Sequence, residues 1–135
     1  MKEITLEATI DNLQQVLAVL EEMLDELRCP TKPRMSLMIA VEELFVNIAS
    51  YAYAPDTGEA TVRFLPIDDA KGIEITFIDS GMQYNPLEKD DPDITLPVEE
   101  RPIGGLGIYM VKKSMDDVRY EYKNDQNVLK ITKLF

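Results

Sequence analysis

Glu43 and Asn47 stand four residues apart in a stretch whose apolar residues recur at helical spacing. Residues four apart on a helix leave the same face. A carboxylate takes a proton from a hydroxyl or a water, and the amide oxygen of asparagine is a hard, neutral ligand suited to Mg²⁺. The pair therefore reads as a general base one turn from a metal ligand. A plain solvated helix face gives the same spacing, and spacing alone favours it. Glu42, about 100° round the helix, reads as exposed.

A second stretch is Asp79-Ser80-Gly81, which follows the apolar run Ile73-Glu74-Ile75-Thr76-Phe77-Ile78. An acid at the end of a strand puts a carboxylate at the sheet edge, where it can accept a hydrogen bond from an exocyclic amine such as adenine N6. Gly81 lets a flat ring approach the backbone. These residue types also make an ordinary turn. The third stretch is Gly104-Gly105-Leu106-Gly107, ahead of Ile108, Tyr109, Met110 and Val111. Glycines entering a helix expose free N–H groups that bind phosphate. The spacing is neither a Walker loop nor a dinucleotide fingerprint, and a hinge for the preceding segment reads equally well.

Composition narrows the chemistry. The chain has no histidine, which removes Ser-His-Asp hydrolysis, most zinc chemistry and histidine autophosphorylation. A net charge of −11 repels phosphate backbones, so no nucleic-acid partner is expected. It opposes free ATP as well, so a nucleotide site here needs Mg²⁺, backbone N–H groups or a few basic side chains. Cys29 is the single cysteine and no internal disulfide forms, which fits the cytoplasm. No apolar run approaches the roughly 18 residues of a membrane span, so no membrane association is expected. The first residues lack the apolar stretch of a signal peptide. The seven methionines read as core filler.

The elements that must carry these residues follow from periodicity. Residues 2–8 alternate and read as a strand. Asp11 offers an N-cap, and Leu13, Val16, Leu17, Leu20, Leu24 and Leu27 trace an amphipathic helix that ends near Cys29-Pro30. A second helix is expected over residues 33–53, its core stripe Leu37, Val41, Leu44 and Ile48, with Ser36, Ala40 and Ser50 beside Glu43 and Asn47. Segments 60–65 and 72–79 form a hairpin over the loop 66–71. Residues 80–105 keep no period and hold four prolines and many acids; a loop this long in a compact domain tends to be functional. A helix over 107–115 and a hairpin of 118–123 with 127–134, turning at Asp125-Gln126, complete the chain. The 135 residues make one domain. The order implies an α+β two-layer sandwich, with a mixed, mainly antiparallel sheet and helices on one face.

Taken in order, the three stretches resemble the boxes of the GHKL ATPase family, whose domain is the Bergerat ATP-binding fold. Glu43-Leu44-Phe45-Val46-Asn47 is similar to the first box, Asp79-Ser80-Gly81-Met82 to the second, and Gly105-Leu106-Gly107-Ile108 to the third. Within that family the chain resembles the small bacterial anti-sigma factor serine/threonine kinases, by its length, by Tyr51-Ala52-Tyr53 and by the run from Gly104 to Val111. The resemblance implies MgATP binding. It makes Asn47 the Mg²⁺ ligand and Glu43 the residue that orients or deprotonates the attacking hydroxyl. Asp79 would read adenine over Gly81, while Gly104, Gly105, Leu106 and Gly107 would admit the phosphates. Residues 80–104 would be the ATP lid. The partners implied are a sigma factor and an antagonist protein phosphorylated on serine or threonine; a homodimer is left open. The family's late glycine-threonine element is not evident: Asn127 stands where a glycine would, and Thr132 is the polar residue left on that strand. Lys89 and Arg101 are the cations of the acidic lid. Two alternatives remain at this point, a non-catalytic ATP-dependent partner-binding module and an isolated sensor-kinase catalytic domain.

Overall fold

The computed structural model describes residues 1–88 and 106–135. Five strands form one sheet: β1 (Lys2–Glu7), β2 (Glu59–Ile67), β3 (Gly72–Asp79), β4 (Asp117–Lys123) and β5 (Gln126–Leu134), in the order β1-β2-β3-β5-β4. Every pairing is antiparallel, so the sheet is not mixed. Three helices lie on one side: α1 (Leu13–Glu26), α2 (Thr31–Asn47) and α3 (Leu106–Ser114).

Strand alternation decides which side the helices cover. In β2, β3 and β5 the residues Ala60, Val62, Phe64, Ile75, Phe77, Leu129 and Ile131 are buried, while Arg63, Glu74, Thr76, Lys130 and Thr132 take the other face. Burying one large apolar side chain contributes about 1.5–3 kcal/mol, so a one-residue slip of the central strands would forfeit the core. From the helices come Val16, Leu20, Leu24, Leu37, Val41, Leu44 and Phe45. Asp79 and Asn127 are the buried polar residues in this set, 6% exposed each and directly opposite one another in the β3–β5 register.

Local chemistry sets the joints. α1 stops as Arg28 takes a left-handed conformation (φ 54°) and Cys29 N–H closes back on Leu24 O at 2.9 Å. Asp11 is not its cap. A 3₁₀ turn (Ile10–Asn12) runs straight into α1, and Ile10 O meets the N–H of Leu13. β2 runs on through Pro66 to Ile67, so the β2–β3 connection is shorter than the sequence implied. Pro66 is tolerated because β1 pairs no further along β2 than Phe64, leaving no ladder bond for its missing N–H. The β4–β5 hairpin turns at Asn124 and Asp125, one residue earlier than expected. Both have positive φ (54° and 60°), as a two-residue turn matched to strand twist requires.

α2 ends at Asn47 and continues as a π-helical turn, Ile48–Ala52. Leu37, Val41 and Leu44 fill the core as expected, while Ile48 packs against it only partly buried, on the edge of an open cleft. Ala40 and Phe45 are buried as well, since α2 packs against both α1 and α3. Thr31–Ala52 is also long and apolar enough to cross a membrane by length and composition, contrary to the sequence expectation. Within it Leu37, Ala40, Val41, Leu44 and Phe45 are buried in the core, while Met35, Ile39 and Tyr51 are exposed. Of the methionines, Met23 and Met115 are buried and Met38 packs on the core, but Met1, Met35, Met82 and Met110 are exposed, so core filling accounts for only some of them.

Candidate functional site

The carboxyl ends of α2 and β3 and the start of β5 meet around a cleft. Leu44, Ile48, Ala52, Phe77, Met82, Pro86 and Leu129 supply apolar walls, and Tyr51, Tyr84 and Tyr120 add aromatic ones. Its polar lining is Asn47, Asp79 and Asn127. An apolar slot with a few fixed polar groups is how a small-molecule site is usually built. Among the described residues no Lys or Arg lines it.

Asp79 is the last residue of β3, and its inward direction follows from the alternation that buries Ile75 and Phe77. Its Oδ1 accepts the N–H of Gly81 at 2.9 Å and Nδ2 of Asn127 at 2.9 Å. Burial pushes this carboxyl above the ordinary range, and those two hydrogen bonds pull it part of the way back. Oδ2 accepts nothing among the described residues. No sealed side-chain oxygen there lacks a partner, so Oδ2 opens onto the cleft.

The segment after β3 is pinned from three directions. Tyr53 Oη accepts Ser80 N–H at 2.8 Å and donates to Glu59 O at 2.6 Å. Ala52 O accepts Met82 N–H at 2.8 Å. A Cβ on Gly81 would run into the carbonyl of Ala52, so glycine is demanded by the π-helical turn pressing on it, whatever the cleft holds. Asn127 accepts Tyr84 N–H at 3.1 Å and donates to Met82 O at 3.0 Å.

Asn47 lies at the point where α2 gives way to the π-helical turn, a feature common at functional sites. It shares the cleft with Asp79. Its amide oxygen fits the donor type of a Mg²⁺ ion held chiefly by phosphates and water. Among the described residues no group of three or more His, Cys, Asp or Glu side chains could hold a metal ion, so such an ion would take its other ligands from water and from whatever the cleft binds. Glu43 is brought elsewhere: its carboxylate lies against Gly107 in the first turn of α3, where a Cβ would collide with it. Gly107 therefore makes room for Glu43. Gly104, Gly105, Lys89 and Arg101 lie outside the described residues, as does the part of the expected lid beyond Glu88; of Leu106 only its place opening α3 is described. Thr132 is on the helix-free face of the sheet, five residues from Asn127 and of opposite parity, so it takes no part in the cleft. Lys112 borders a separate hollow with Leu87 and Asp116, and Lys113 sits over the Tyr109 ring at 5.5 Å.

Asn127, Tyr84 and Tyr120 were not anticipated as site residues. Asn127 left a signal, a polar residue in phase with the inward Leu129 and Ile131.

Comparison with known proteins matches residues 6–133 to the family described as "Histidine kinase-like ATPase domain". The chain is similar to the serine-protein kinase RsbW of Bacillus mycoides, 36% identical over 97 residues, covering 69% of this chain and 59% of that protein. A second RsbW, from Bacillus cereus, is 37% identical over 97 residues with the same coverage. The chain thus spans 59% of the length of the curated relatives it matches. Among solved structures, the RsbU and RsbW domains of Rv1364c from Mycobacterium tuberculosis share the fold, with a TM-score of 0.64 at 16% identity, covering 99% of this chain and 32% of that one.

Proposed function

This chain belongs to the histidine kinase-like ATPase domain family, and on that footing we propose that it is an anti-sigma regulatory factor that phosphorylates an antagonist protein on serine or threonine. ATP use comes with the family. The single observation that carries the nucleotide assignment is Asp79: a buried carboxylate, one oxygen saturated and the other open, at the edge of an apolar slot. A buried acid without a cation is costly to keep ionised. An acceptor held open on such terms matches the exocyclic amine of adenine.

The roles then divide by element. The apolar walls sandwich the base, with Leu44 and Ile48 from the α2 side and Phe77 and Leu129 from the sheet. Asn47 would hold Mg²⁺ through its amide oxygen, and that ion would neutralise phosphate charge that an acidic chain otherwise repels. The N–H groups opening α3 would meet the phosphates. Glu43 takes the proton of the attacking serine hydroxyl as the Oγ–P bond forms and the bond to the β–γ bridging oxygen breaks, releasing ADP. In such transfers positioning and charge stabilisation carry most of the rate. The relatives' name, serine-protein kinase, supports transfer to a serine; the sigma factor and the antagonist are the partners of this reading, and the cytoplasm is its compartment.

One observation favours a non-catalytic reading, in which the ATP-loaded form grips a partner and transfers nothing: the Glu43 carboxylate rests on Gly107 and is not among the residues lining the cleft. Incubation with γ-labelled ATP, Mg²⁺ and candidate antagonist proteins from the same genome separates the two. Label on a serine or threonine of one of them is the expected result; nucleotide binding with no label on any would leave the binding module.

A further inference from the structure

Asn127 has four hydrogen-bonding valences and uses all of them. Its Nδ2 donates to Asp79 Oδ1 at 2.9 Å and to Met82 O at 3.0 Å. Its Oδ1 accepts from Tyr84 N–H at 3.1 Å and from the hydroxyl of Tyr120. An amide can often be turned over without penalty. This one cannot, because Met82 O only accepts and Tyr84 N–H only donates. The amine edge of Asn127 therefore faces Asp79 whatever the state of the cleft.

That orientation has a consequence for Asp79. With Asn127 and Gly81 both donating to Oδ1, the carboxylate cannot rotate to offer that oxygen, and Oδ2 alone meets a ligand. Asn127 is 6% exposed and anchored from β4 by Tyr120 and from the post-β3 segment by Met82 and Tyr84, so it cannot drift.

We propose that Asn127 is the positioning residue for nucleotide-base selection: by pinning Asp79 Oδ1 it leaves a single, fixed acceptor that admits a 6-amino purine and repels a 6-keto purine. This rests on the reading of Asp79 as the adenine contact. A carboxylate free to rotate meets water or swings its second oxygen aside, and it discriminates less. Asn127 does not touch the base; it acts through Asp79.

The test compares MgADP with MgIDP, which differ at the 6-position, by calorimetry on the full chain. Wild type binds ADP more tightly than IDP. In Asn127→Leu the ADP preference falls by about tenfold, the scale of one hydrogen bond to a charged group, through loss of ADP affinity with IDP little altered. Damage to the fold would instead weaken both nucleotides in parallel, and an unchanged ADP-to-IDP ratio overturns the proposal. Should Asn127→Leu lack a cooperative melt, Asn127→Ser decides. Its hydroxyl is too short to reach all four partners, so its ratio falls too, and a wild-type ratio in that variant is equally fatal. A wild-type protein that binds ADP and IDP alike would remove the adenine reading beneath it, a result separable from failure of the Asn127 variants.

Discussion

Asp79→Asn separates ligand binding from stability. In the native protein Oδ1 of Asp79 is held by Gly81 N–H and Asn127 Nδ2, each at 2.9 Å, while Oδ2 is open. An asparagine at 79 keeps its carbonyl oxygen under those two donors and sets an amide NH₂ in place of Oδ2. That group donates, so an incoming adenine amine meets a donor. One hydrogen bond to a charged acceptor is lost, about 1.5–3 kcal/mol, which is roughly 10- to 150-fold in ADP affinity. Stability moves the other way. Burial raises the Asp79 carboxyl in the folded chain, so the native state holds that proton more tightly than the unfolded one. The stability this group contributes is present below the unfolded carboxyl pKa and is lost as pH rises through the folded one. Asparagine carries no such penalty. The variant should melt at or above wild type at neutral pH, with the gap closing as the solution is acidified through the folded pKa. Titration calorimetry with MgADP and melts across an acid-to-neutral series measure both. Unchanged ADP affinity, or a variant destabilised equally at every pH, would refute the reasoning.

Three further substitutions probe the rest of the site. Asn47→Ala should lower nucleotide affinity in the presence of Mg²⁺ while leaving the weaker affinity in EDTA unchanged, which titration under both conditions reads. Gly107→Ala places a Cβ against the Glu43 carboxylate; that flexible side chain yields, so the melting temperature should hold and phosphoryl transfer should drop by about 10²-fold or more, the scale of a displaced base. Gly81→Ala meets the backbone of Ala52, which has no such freedom. It should cost about 1–3 kcal/mol of stability, as overpacking does, seen as a lowered denaturation midpoint with or without nucleotide.

Much of this was legible because periodicity reports direction. The 3.6-residue repeat put Leu37, Val41 and Leu44 inward, and the apolar run from Ile73 to Ile78 put the Asp79 carboxylate at the end of a strand. What periodicity cannot report is a change of period. The α-helical period ends where the π-helical turn begins at Ile48, and Ala40 and Phe45 are buried in a helix that packs against both α1 and α3. Gly81 and Gly107 were read as room for a ligand, yet the nearest demands on them come from Ala52 and Glu43. These are long-range contacts that no local window contains. Asn127 stood out only as a missing glycine, because its four partners are drawn from β3, β4 and the segment between Met82 and Tyr84. Proline as a loop signal failed at Pro66, where the neighbouring strand had already ended.

Adenine on Asp79 is the contact on which every role assigned to the cleft depends. A crystal structure of the protein with MgADP measures that directly. The predicted result is adenine N6 within about 3 Å of Asp79 Oδ2, the base between Ile48 and Leu129, and Asn47 on the metal. Nucleotide seated with its base away from Asp79, on the open face of the sheet beside Arg63 and Lys130 for example, would contradict it.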